Sequence, residues 1–300
     1  MFYKQKDRFR RWRFARQTSG ILKSQPIKLD EQGPDLLTML QHKDVHMYLA
    51  AVKTFAFHIP PHTVHILNDG SLTSNDCDFL SQHIPGVVIH ALDTFREPDL
   101  PIGGCWERLS TLARLSETRY VIQLDADTLT LGGIPEVAEA VHNKQSFTIG
   151  TWDNQKFEPA VDRARTAQTL LGKGKPHIQL LAESNFDQFK DAQNIRYVRG
   201  CAGFAGFAPG EGKVQLIRSL SSQLMAMLGE RWSEWGSEQV MSNLVVANQS
   251  DAIVLPHPVY ADCEKMQKGT TRFIHFIGTC RFEGGNYARL IREMEWLRNA

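Results

Sequence analysis

The segment YVIQLDADTLTLG, residues 120–132, decides the fold prediction. It starts as an apolar run that is typical of a buried strand, and the run ends in two carboxylates, Asp125 and Asp127, with Ala126 between them. Residues two apart in a strand point to the same side, so both carboxylates can face one space. Two unpaired carboxylates in one space repel each other, and a divalent cation would remove that repulsion. The alternative is a surface turn in which the first Asp hydrogen-bonds to the backbone.

Ahead of this segment, short apolar runs alternate with helix-like segments. The predicted strands cover residues 35–40, 63–67, 86–92 and 119–124, and the predicted helices cover residues 43–57, 74–83 and 105–117. Thr73 or Ser74 is placed to cap the second of these helices. The alternation predicts an α/β fold with a largely parallel sheet. Ligand sites in such sheets form outside the carboxyl ends of the strands, which is where Asp125 and Asp127 lie.

After residue 133 the pattern is less regular. Further strands are predicted at residues 145–152, 252–256 and 271–278, and further helices at residues 212–228, 237–248 and 286–297. Residues 153–194 form a polar excursion with some helix, and Ser237 is a good helix N-cap. The segment YVRGCAGFAGFAPG, residues 197–210, is dense in glycine and alanine, as expected where the backbone must approach a ligand or another strand closely.

The composition is that of an ordinary globular protein. The chain has 300 residues, of which 42% are hydrophobic, and a formal net charge of +1, so it can form one large domain or two ordinary ones. No run of the sequence reaches the roughly 18 apolar residues that a membrane span needs. The five cysteines are scattered and include no CxxC pair, which argues against a disulfide framework or a zinc site and favours a reducing cytosol.

The positive charge is concentrated at the start of the chain. Residues 1–16, MFYKQKDRFRRWRFAR, hold seven Lys or Arg and one Asp, which gives +6 and leaves −5 for the remainder of the +1 total. Aromatic residues alternate with these cations, so the segment could lie on an anionic membrane surface. The favoured alternative is a solvated, partly disordered arm. No nucleic-acid partner is predicted, because the rest of the chain offers no basic face.

The Asp-x-Asp segment also resembles the metal-binding segment of GT-A-fold glycosyltransferases, which use nucleotide sugars as donors. Three later segments resemble motifs of the retaining glycosyltransferase family 8, in the family's order: RGCAGFAGF (199–207), SEQVMSN (237–243) and HFIGTCRF (275–282). Three positions depart from the family pattern, since Cys201 replaces Asn, Glu238 replaces Asp and Arg281 replaces Lys. The resemblance extends from about residue 35 to residue 282 and therefore covers most of the chain.

The resemblance implies a GT-A fold, in which a Rossmann-like, mostly parallel sheet is flanked by helices and a smaller mixed C-terminal part binds the acceptor. The charge distribution predicts a basic arm at residues 1–34, and the resemblance implies one catalytic domain at residues 35–300. Within that domain, residues 35–132 would form the nucleotide-binding half and residues 133–300 the acceptor-binding half.

The resemblance also implies roles for individual residues. The metal ligands would be Asp125, Asp127 and His275, holding Mn²⁺ or Mg²⁺. The contacts with the nucleotide-sugar donor would come from Thr38, His42, Arg108, Asp125, Ala126, Gly203, Gly278 and Arg281. Arg281 and the backbone at Gly278 would neutralise the leaving diphosphate. Gln239 would sit under the reacting face of the sugar, and Glu238 would hydrogen-bond to the sugar hydroxyls.

The implied activity is transfer of a hexose, with retention, from a UDP-sugar to a glycan or lipid-linked acceptor. The expected location is the cytoplasm, with peripheral contact at the inner face of the membrane through residues 1–16. One alternative is an inverting transferase with Glu238 or Glu234 as the base. Another is a non-catalytic relative that binds nucleotide sugar or glycan. A nucleotidyltransferase is disfavoured, because the segment QHKDVHMY after the first strand lacks the glycine that such enzymes need there.

Overall fold

A seven-stranded, mostly parallel sheet with flanking helices forms the core of the structure, a computed structural model that describes residues 2–294. The strands are β1 (Asp35–Leu40), β2 (Val64–Asn68), β3 (Val88–Ala91), β4 (Val121–Leu124), β5 (Thr128–Thr130), β6 (Phe147–Ile149), β7 (Glu158–Pro159), β8 (Arg196–Tyr197), β9 (Cys201–Phe207), β10 (Ile253–Leu255), β11 (Tyr260–Asp262) and β12 (Phe273–His275). The order across the sheet is β10-β6-β9-β4-β1-β2-β3. The predicted α/β class is confirmed.

The helices match most of the predicted helical segments. They are α1 (Phe2–Gln17), α2 (Val45–His58), α3 (Ser74–His83), α4 (Trp106–Leu115), α5 (Pro135–His142), α6 (Ala160–Thr169), α7 (Ile178–Glu183), α8 (Lys213–Leu228), α9 (Ser237–Ala247) and α10 (Asn286–Glu293). The last helix was predicted to continue to residue 297, and residues 295–297 lie outside the described residues.

The chain divides into two compact units. The first comprises the residues up to Ala91, Leu124–Pro135 and the residues from Pro258 onward, and the second comprises Leu92–Gln123 and Glu136–His257. The predicted boundary between the two halves at residue 132 remains a prediction, and so does the predicted end of the basic arm at residue 34.

In the first unit, β1, β2 and β3 lie side by side in parallel, with Thr38 opposite Ile66 and Ile66 opposite Ile89. Helix α2 buries the residues that the sequence places at helical spacing, namely Val45, Tyr48, Leu49, Val52 and Phe55. Helix α3 begins with a reciprocal capping box: the Thr73 hydroxyl accepts from the Asp76 backbone N–H, and the Asp76 carboxylate accepts from the Thr73 N–H. Thr73, rather than Ser74, is therefore the cap.

A separate three-stranded sheet in the first unit determines which residues meet at the Asp-x-Asp segment. Strand β12 pairs in parallel with β11 and antiparallel with β5, and His275 lies opposite Thr128. The Phe276 N–H also donates to the carbonyl oxygen of Asp127 at 2.8 Å. This pairing holds residues 128–130 beside a segment almost 150 positions later in the chain.

A disulfide joins Cys263 and Cys280, whose Cα atoms are 6.2 Å apart. The scattered cysteines and the lack of a CxxC pair predict no disulfide framework, and for Cys263 and Cys280 this prediction is wrong. The two cysteines are 17 residues apart in sequence, without a recognisable spacing motif, and the fold of the β11–β12 segment brings them together. Cysteine usage therefore no longer supports the predicted cytosolic location, which remains a prediction.

Residues 2–17 form the helix α1 and not the partly disordered arm that the sequence favoured. The Phe14 ring is 4% exposed and packs on the rings of Tyr287, at 4.8 Å between centroids, and Phe282, at 5.9 Å. Arg11 donates to Asp7 and Asp44. The helix is thus fastened to the first unit by Phe14, by Arg11 and by an ion pair at 3.7 Å between Arg10 and Glu283. Within residues 2–294, no helix has both the length and the apolar character needed to cross a bilayer.

In the second unit, β6 pairs antiparallel with β9 and parallel with β10. Gly206 on β9 lies opposite Phe147, and a Cβ atom built on Gly206 would be 2.3 Å from the Phe147 ring and 2.7 Å from the Tyr120 hydroxyl. A Cβ atom on Gly200 would be 2.7 Å from the hydroxyl of Thr148. The predicted close approach of backbone in this glycine-rich segment is therefore present, and it is made to neighbouring protein groups.

We expect Gly206→Ala to lower the free energy of unfolding by about 1–3 kcal/mol, because the added methyl group overlaps a ring that has no free space. Gly132→Ala is the matched control. A Cβ atom there meets nothing within 4 Å, so this change should be neutral or slightly stabilising. Urea denaturation of both variants measures the difference. Equal stability of the two variants would contradict the packing described for Gly206.

Candidate functional site

The Asp-x-Asp segment forms the turn between β4 and β5. The backbone N–H and the hydroxyl of Thr128 both donate to the carbonyl oxygen of Asp125, at 3.3 and 2.8 Å. Asp127 is 4% exposed, whereas Asp125 is partly exposed. The first Asp therefore does take part in a turn, as the alternative interpretation proposed, but its backbone oxygen makes the contact. The turn is compatible with a second use of the carboxylates.

His275 joins the two carboxylates through the β5–β12 pairing. Its Nε2 atom lies 3.1 Å from Oδ1 of Asp127 and 3.8 Å from Oδ2 of Asp125, and the side chain is buried. One ligand atom from each of the three residues lies within 4.8 Å of the others. The structure thus brings together the three side chains that the sequence analysis assigned to a metal.

Arg281 contacts the same buried carboxylate. It lies at the end of the 3₁₀ turn Gly278–Arg281, and its Nε atom donates to Oδ2 of Asp127 at 2.6 Å and to the Phe276 carbonyl oxygen at 3.3 Å. The predicted partner of this guanidinium is a diphosphate. In the structure its Nε hydrogen bonds to Asp127, and its terminal NH₂ groups make no hydrogen bond within residues 2–294. Those groups could still bind an anion.

These neighbours determine the ionisation of Asp127. Burial by itself raises the pKa of the carboxyl group, but the charges and hydrogen bonds of His275 and Arg281 outweigh burial and lower the pKa to about 2. For Arg281, burial lowers the pKa, and the Asp127 carboxylate more than offsets this, so that the net direction is upward. Asp127 is therefore negatively charged at every ordinary pH and can act as a cation ligand without first losing a proton.

Tyr287 hydrogen-bonds to the backbone of the Asp-x-Asp turn, and this role was not predicted from the sequence. Its hydroxyl donates to the carbonyl oxygens of Ala126, at 3.4 Å, and Thr128, at 3.3 Å. Its ring stacks on Phe276 with 4.2 Å between centroids. The only sequence signal was its place on a predicted amphipathic helix, which gives no indication of a contact 160 residues away.

The donor set suits a hard divalent cation. Two carboxylates supply anionic oxygen ligands, which Mg²⁺ and Mn²⁺ prefer, and Mn²⁺ also accepts an imidazole nitrogen. Three ligands from the chain leave coordination positions for substrate oxygens. Asp127 would have to serve the cation while Arg281 remains hydrogen-bonded to its other oxygen. The residues present fit such an ion.

Two predicted nucleotide contacts lie near β1 in the first unit. Thr38 is completely buried, and its hydroxyl has no hydrogen-bond partner within the described part of the chain. The His42 imidazole is exposed and lies 2.7 Å from the Asp76 carboxylate, and its backbone N–H donates to the Ser71 hydroxyl. His42 therefore connects its loop to the start of α3. Binding of a nucleotide base by Thr38 or His42 remains a prediction.

In the second unit, Arg108 on α4 donates to Oε2 of Glu238 on α9 at 3.2 Å, and both side chains are buried. Both residues are predicted site residues, but the sequence gives no sign that they pair. Gln239 follows Glu238 and is partly exposed, and Gly203 is buried on β9. The structure thus brings two of the four predicted site residues of this unit into direct contact.

The start of α9 differs from the prediction. Gly236 occupies the N-cap position, with φ at +102°, and Ser237 is the first helical residue. The Ser237 hydroxyl accepts from the Trp106 indole N–H at 2.9 Å and so connects α9 to α4. The expectation that Ser237 caps the helix is wrong, because the hydroxyl is used by a buried tryptophan.

Glu234, an alternative base, lies in a different environment. It is hydrogen-bonded by Arg231 and Lys175, and these two hydrogen bonds lower the pKa of its carboxyl group to about 2. A carboxylate with so low a pKa accepts a proton poorly at neutral pH. This environment argues against Glu234 as a general base.

Several solved structures have a fold similar to that of this chain. The chain is similar to the bifunctional glycosyltransferase WbbM in its apo form, with a TM-score of 0.51 and 13% identity over 89% of this chain and 50% of that chain. It is also similar to mouse xyloside xylosyltransferase 1, with a TM-score of 0.48 and 12% identity over 83% of this chain and 99% of that one. For the galactosyltransferase LgtC with donor and acceptor sugar analogues, the TM-score is 0.44, with 10% identity over 87% and 98% of the two chains.

A scan against protein-family models gives no match, and a search of curated proteins gives none either. The chain spans half the length of the WbbM structure. At 13% identity, the likeness to WbbM concerns the fold alone, and it agrees with the GT-A-type architecture predicted from the sequence.

We expect Arg281→Met to lower the free energy of unfolding by about 1.5–3 kcal/mol in the presence of a chelator, because a buried carboxylate loses a charged hydrogen-bond donor. Arg272→Met removes an exposed arginine of the same unit, whose guanidinium makes one hydrogen bond within the described residues, 3.4 Å long, and should cost less than about 0.5 kcal/mol. Denaturant titration at neutral pH gives both values. If the two variants were equally stable, Arg281 would not be compensating the charge of Asp127.

Proposed function

We propose that this chain is a metal-dependent glycosyltransferase that moves a hexose, with retention, from a UDP-sugar to a glycan or lipid-linked acceptor. The observation that carries the proposal is the convergence of Asp125, Asp127 and His275 at the end of a strand in a GT-A-type fold. The order of four motifs along the sequence supports the same assignment.

Asp125, Asp127 and His275 would hold the cation, which we take to be Mn²⁺ or Mg²⁺. When bound, such an ion offsets the negative charge of the diphosphate as the bond from sugar to phosphate breaks. Asp127 is ionised at all ordinary pH values, so this ligand is negatively charged before the cation binds. Burial of Asp127 and His275 keeps water away from two of the three ligands.

Arg281 is the second source of positive charge for the leaving group in this proposal. Its Nε hydrogen bond to Asp127 orients the guanidinium plane, so that the two NH₂ groups can donate to phosphate oxygens without reorganisation. The substitution of Arg for the family's Lys adds this orienting contact, since a lysine ammonium has no fixed planar fork.

The predicted catalytic residues are Gln239 and Glu238 on α9. The buried Arg108 donates to Oε2 of Glu238 and so holds this carboxylate in one orientation, as an acceptor of sugar hydroxyls requires. Because Oε2 of Glu238 is already bound by Arg108, we favour the retaining proposal over an inverting reaction with Glu238 as the base.

We expect Asp127→Asn to reduce nucleotide release from a UDP-sugar panel by about a hundredfold or more, because the cation loses a fully charged ligand. Asp78→Asn, which changes an exposed aspartate on α3, is the control and should leave release unchanged. Chelation should abolish release by the unaltered protein, and Mn²⁺ should restore it. Calorimetry with Mn²⁺ and UDP gives a readout that does not depend on turnover.

Two results would be decisive against this proposal. Undiminished release by Asp127→Asn would remove the metal assignment. Tight binding of UDP and Mn²⁺ without release from any donor would instead identify a non-catalytic relative.

A second prediction concerns stereochemistry. With retention, Glu238→Gln should slow transfer by about tenfold, the effect of weakening one charged hydrogen bond, and the product should keep the anomeric configuration of the donor. If Glu238 were an inverting base, the loss would be about 10²–10⁴-fold and the product of the unaltered protein would be inverted. NMR of the product gives the configuration. Glu234→Gln should stay within about threefold of the unaltered protein, since Glu234 is a poor base.

A further inference from the structure

One face of α1 is exposed and carries a surface that the proposed transfer reaction does not use. We define this outer face as Arg8, Phe9, Trp12, Arg13 and Arg16, all of which are exposed. At about 100° of rotation per residue, these five positions fall within an arc of about 140°. Phe9 is 60% exposed and Trp12 is 54% exposed, although large apolar side chains are usually buried.

The other side of α1 attaches the helix to the first unit. Phe14 is buried against Phe282 and Tyr287, and the charge of Arg11 is neutralised by Asp7 and Asp44. In contrast, no carboxylate within residues 2–294 lies at ion-pair distance from the arginines of the outer face. Their charges are therefore available to an external anion.

The two aromatic rings of the outer face act as one apolar patch. Phe9 and Trp12 stack with 5.8 Å between their centroids, and the Arg16 guanidinium lies 5.6 Å from the Trp12 ring. A cavity of about 540 Å³ adjoins this patch, and Arg10, Arg13 and Arg281 are among the residues that line it. Aromatic rings bordered by arginines match the boundary of a bilayer, where acyl chains meet phosphate headgroups.

We propose that the outer face of α1 docks the protein on a bilayer that contains anionic phospholipids. Charge complementarity identifies this partner, because the first 16 residues carry +6 and the remainder carries −5, and Arg8, Arg13 and Arg16 are exposed on this helix. Phe9 and Trp12 would enter the headgroup region, and the three arginines would contact lipid phosphates. The inference is independent of the proposed sugar transfer.

Flotation of the full chain with vesicles tests the proposal. The protein should float with vesicles of phosphatidylcholine and phosphatidylglycerol and should stay unbound with phosphatidylcholine alone. High salt should weaken the binding, since interactions with exposed charges are screened. Binding to both vesicle types alike, or to neither, would overturn the proposal.

Two variants separate the charged and the aromatic contributions. Arg8→Gln/Arg13→Gln/Arg16→Gln should lower partitioning about a hundredfold, at about 1 kcal/mol for each arginine and tenfold for each 1.4 kcal/mol. Lys28→Gln/Lys265→Gln/Lys268→Gln removes equal charge from exposed positions of the same unit, and partitioning should change less than about threefold.

Phe9→Ala/Trp12→Ala should lower partitioning about tenfold or more, because apolar area no longer enters the bilayer. Phe57→Ala/Trp152→Ala removes one exposed phenylalanine and one exposed tryptophan elsewhere and should bind as the unaltered protein does. Circular dichroism shows whether each variant keeps its helix content, and only folded variants are compared.

A nucleic-acid partner is the competing explanation for a basic helix. Fluorescence anisotropy with a single-stranded oligonucleotide at the same salt concentration tests it. Tight oligonucleotide binding that the triple arginine variant loses, together with absent vesicle binding, would overturn the membrane proposal. Vesicle binding lost in both outer-face variants and kept in both controls would establish it.

Discussion

The burial of Asp127 is the constraint on which the candidate site depends. A carboxylate that is 4% exposed is tolerated only if positive or hydrogen-bonding groups surround it. Both of its side-chain partners, His275 and Arg281, come from the segment around β12, about 150 residues later. The β5–β12 pairing is therefore needed before the charge can be buried, and a short strand of three residues positions the whole set of ligands.

The helices and strands that were predicted correctly are those whose apolar periodicity and capping residues favour the same structure that tertiary packing stabilises. Strand β1 and helices α2 and α3 follow from apolar periodicity and from the Thr73 cap, and these signals lie within a few residues. Strand β5 was missed because three residues carry too little periodicity, and its stability comes from pairing with β12. The Cys263–Cys280 disulfide and the Arg281–Asp127 contact were missed for the same reason, since both depend on a long-range juxtaposition that no local pattern encodes.

Motif resemblance and structural role overlap in the segment SEQVMSN. The Asn243 amide donates to the Gly200 carbonyl oxygen at 3.0 Å and accepts from Thr148 at 3.4 Å, so this residue fastens α9 to strand β6 and to the residue that precedes β9. Ser237 likewise binds Trp106. Two of the seven residues thus serve packing, whereas Glu238 and Gln239 are the residues for which we propose a catalytic role. Without the structure, the resemblance could not separate these roles, because both kinds of residue recur in one motif.

The Cys263–Cys280 bond closes a covalent ring around the segment that contains β12 and His275. His275 is consequently tethered to the remainder of the chain by two covalent paths. A protease that cut the exposed stretch near Lys265 and Lys268 would leave both fragments linked, and the polypeptide would separate into two pieces only after reduction. A single backbone break between Cys263 and Cys280 therefore leaves His275 covalently attached to both parts of the chain. Asp125 and Asp127 lie outside the ring and have no such second attachment.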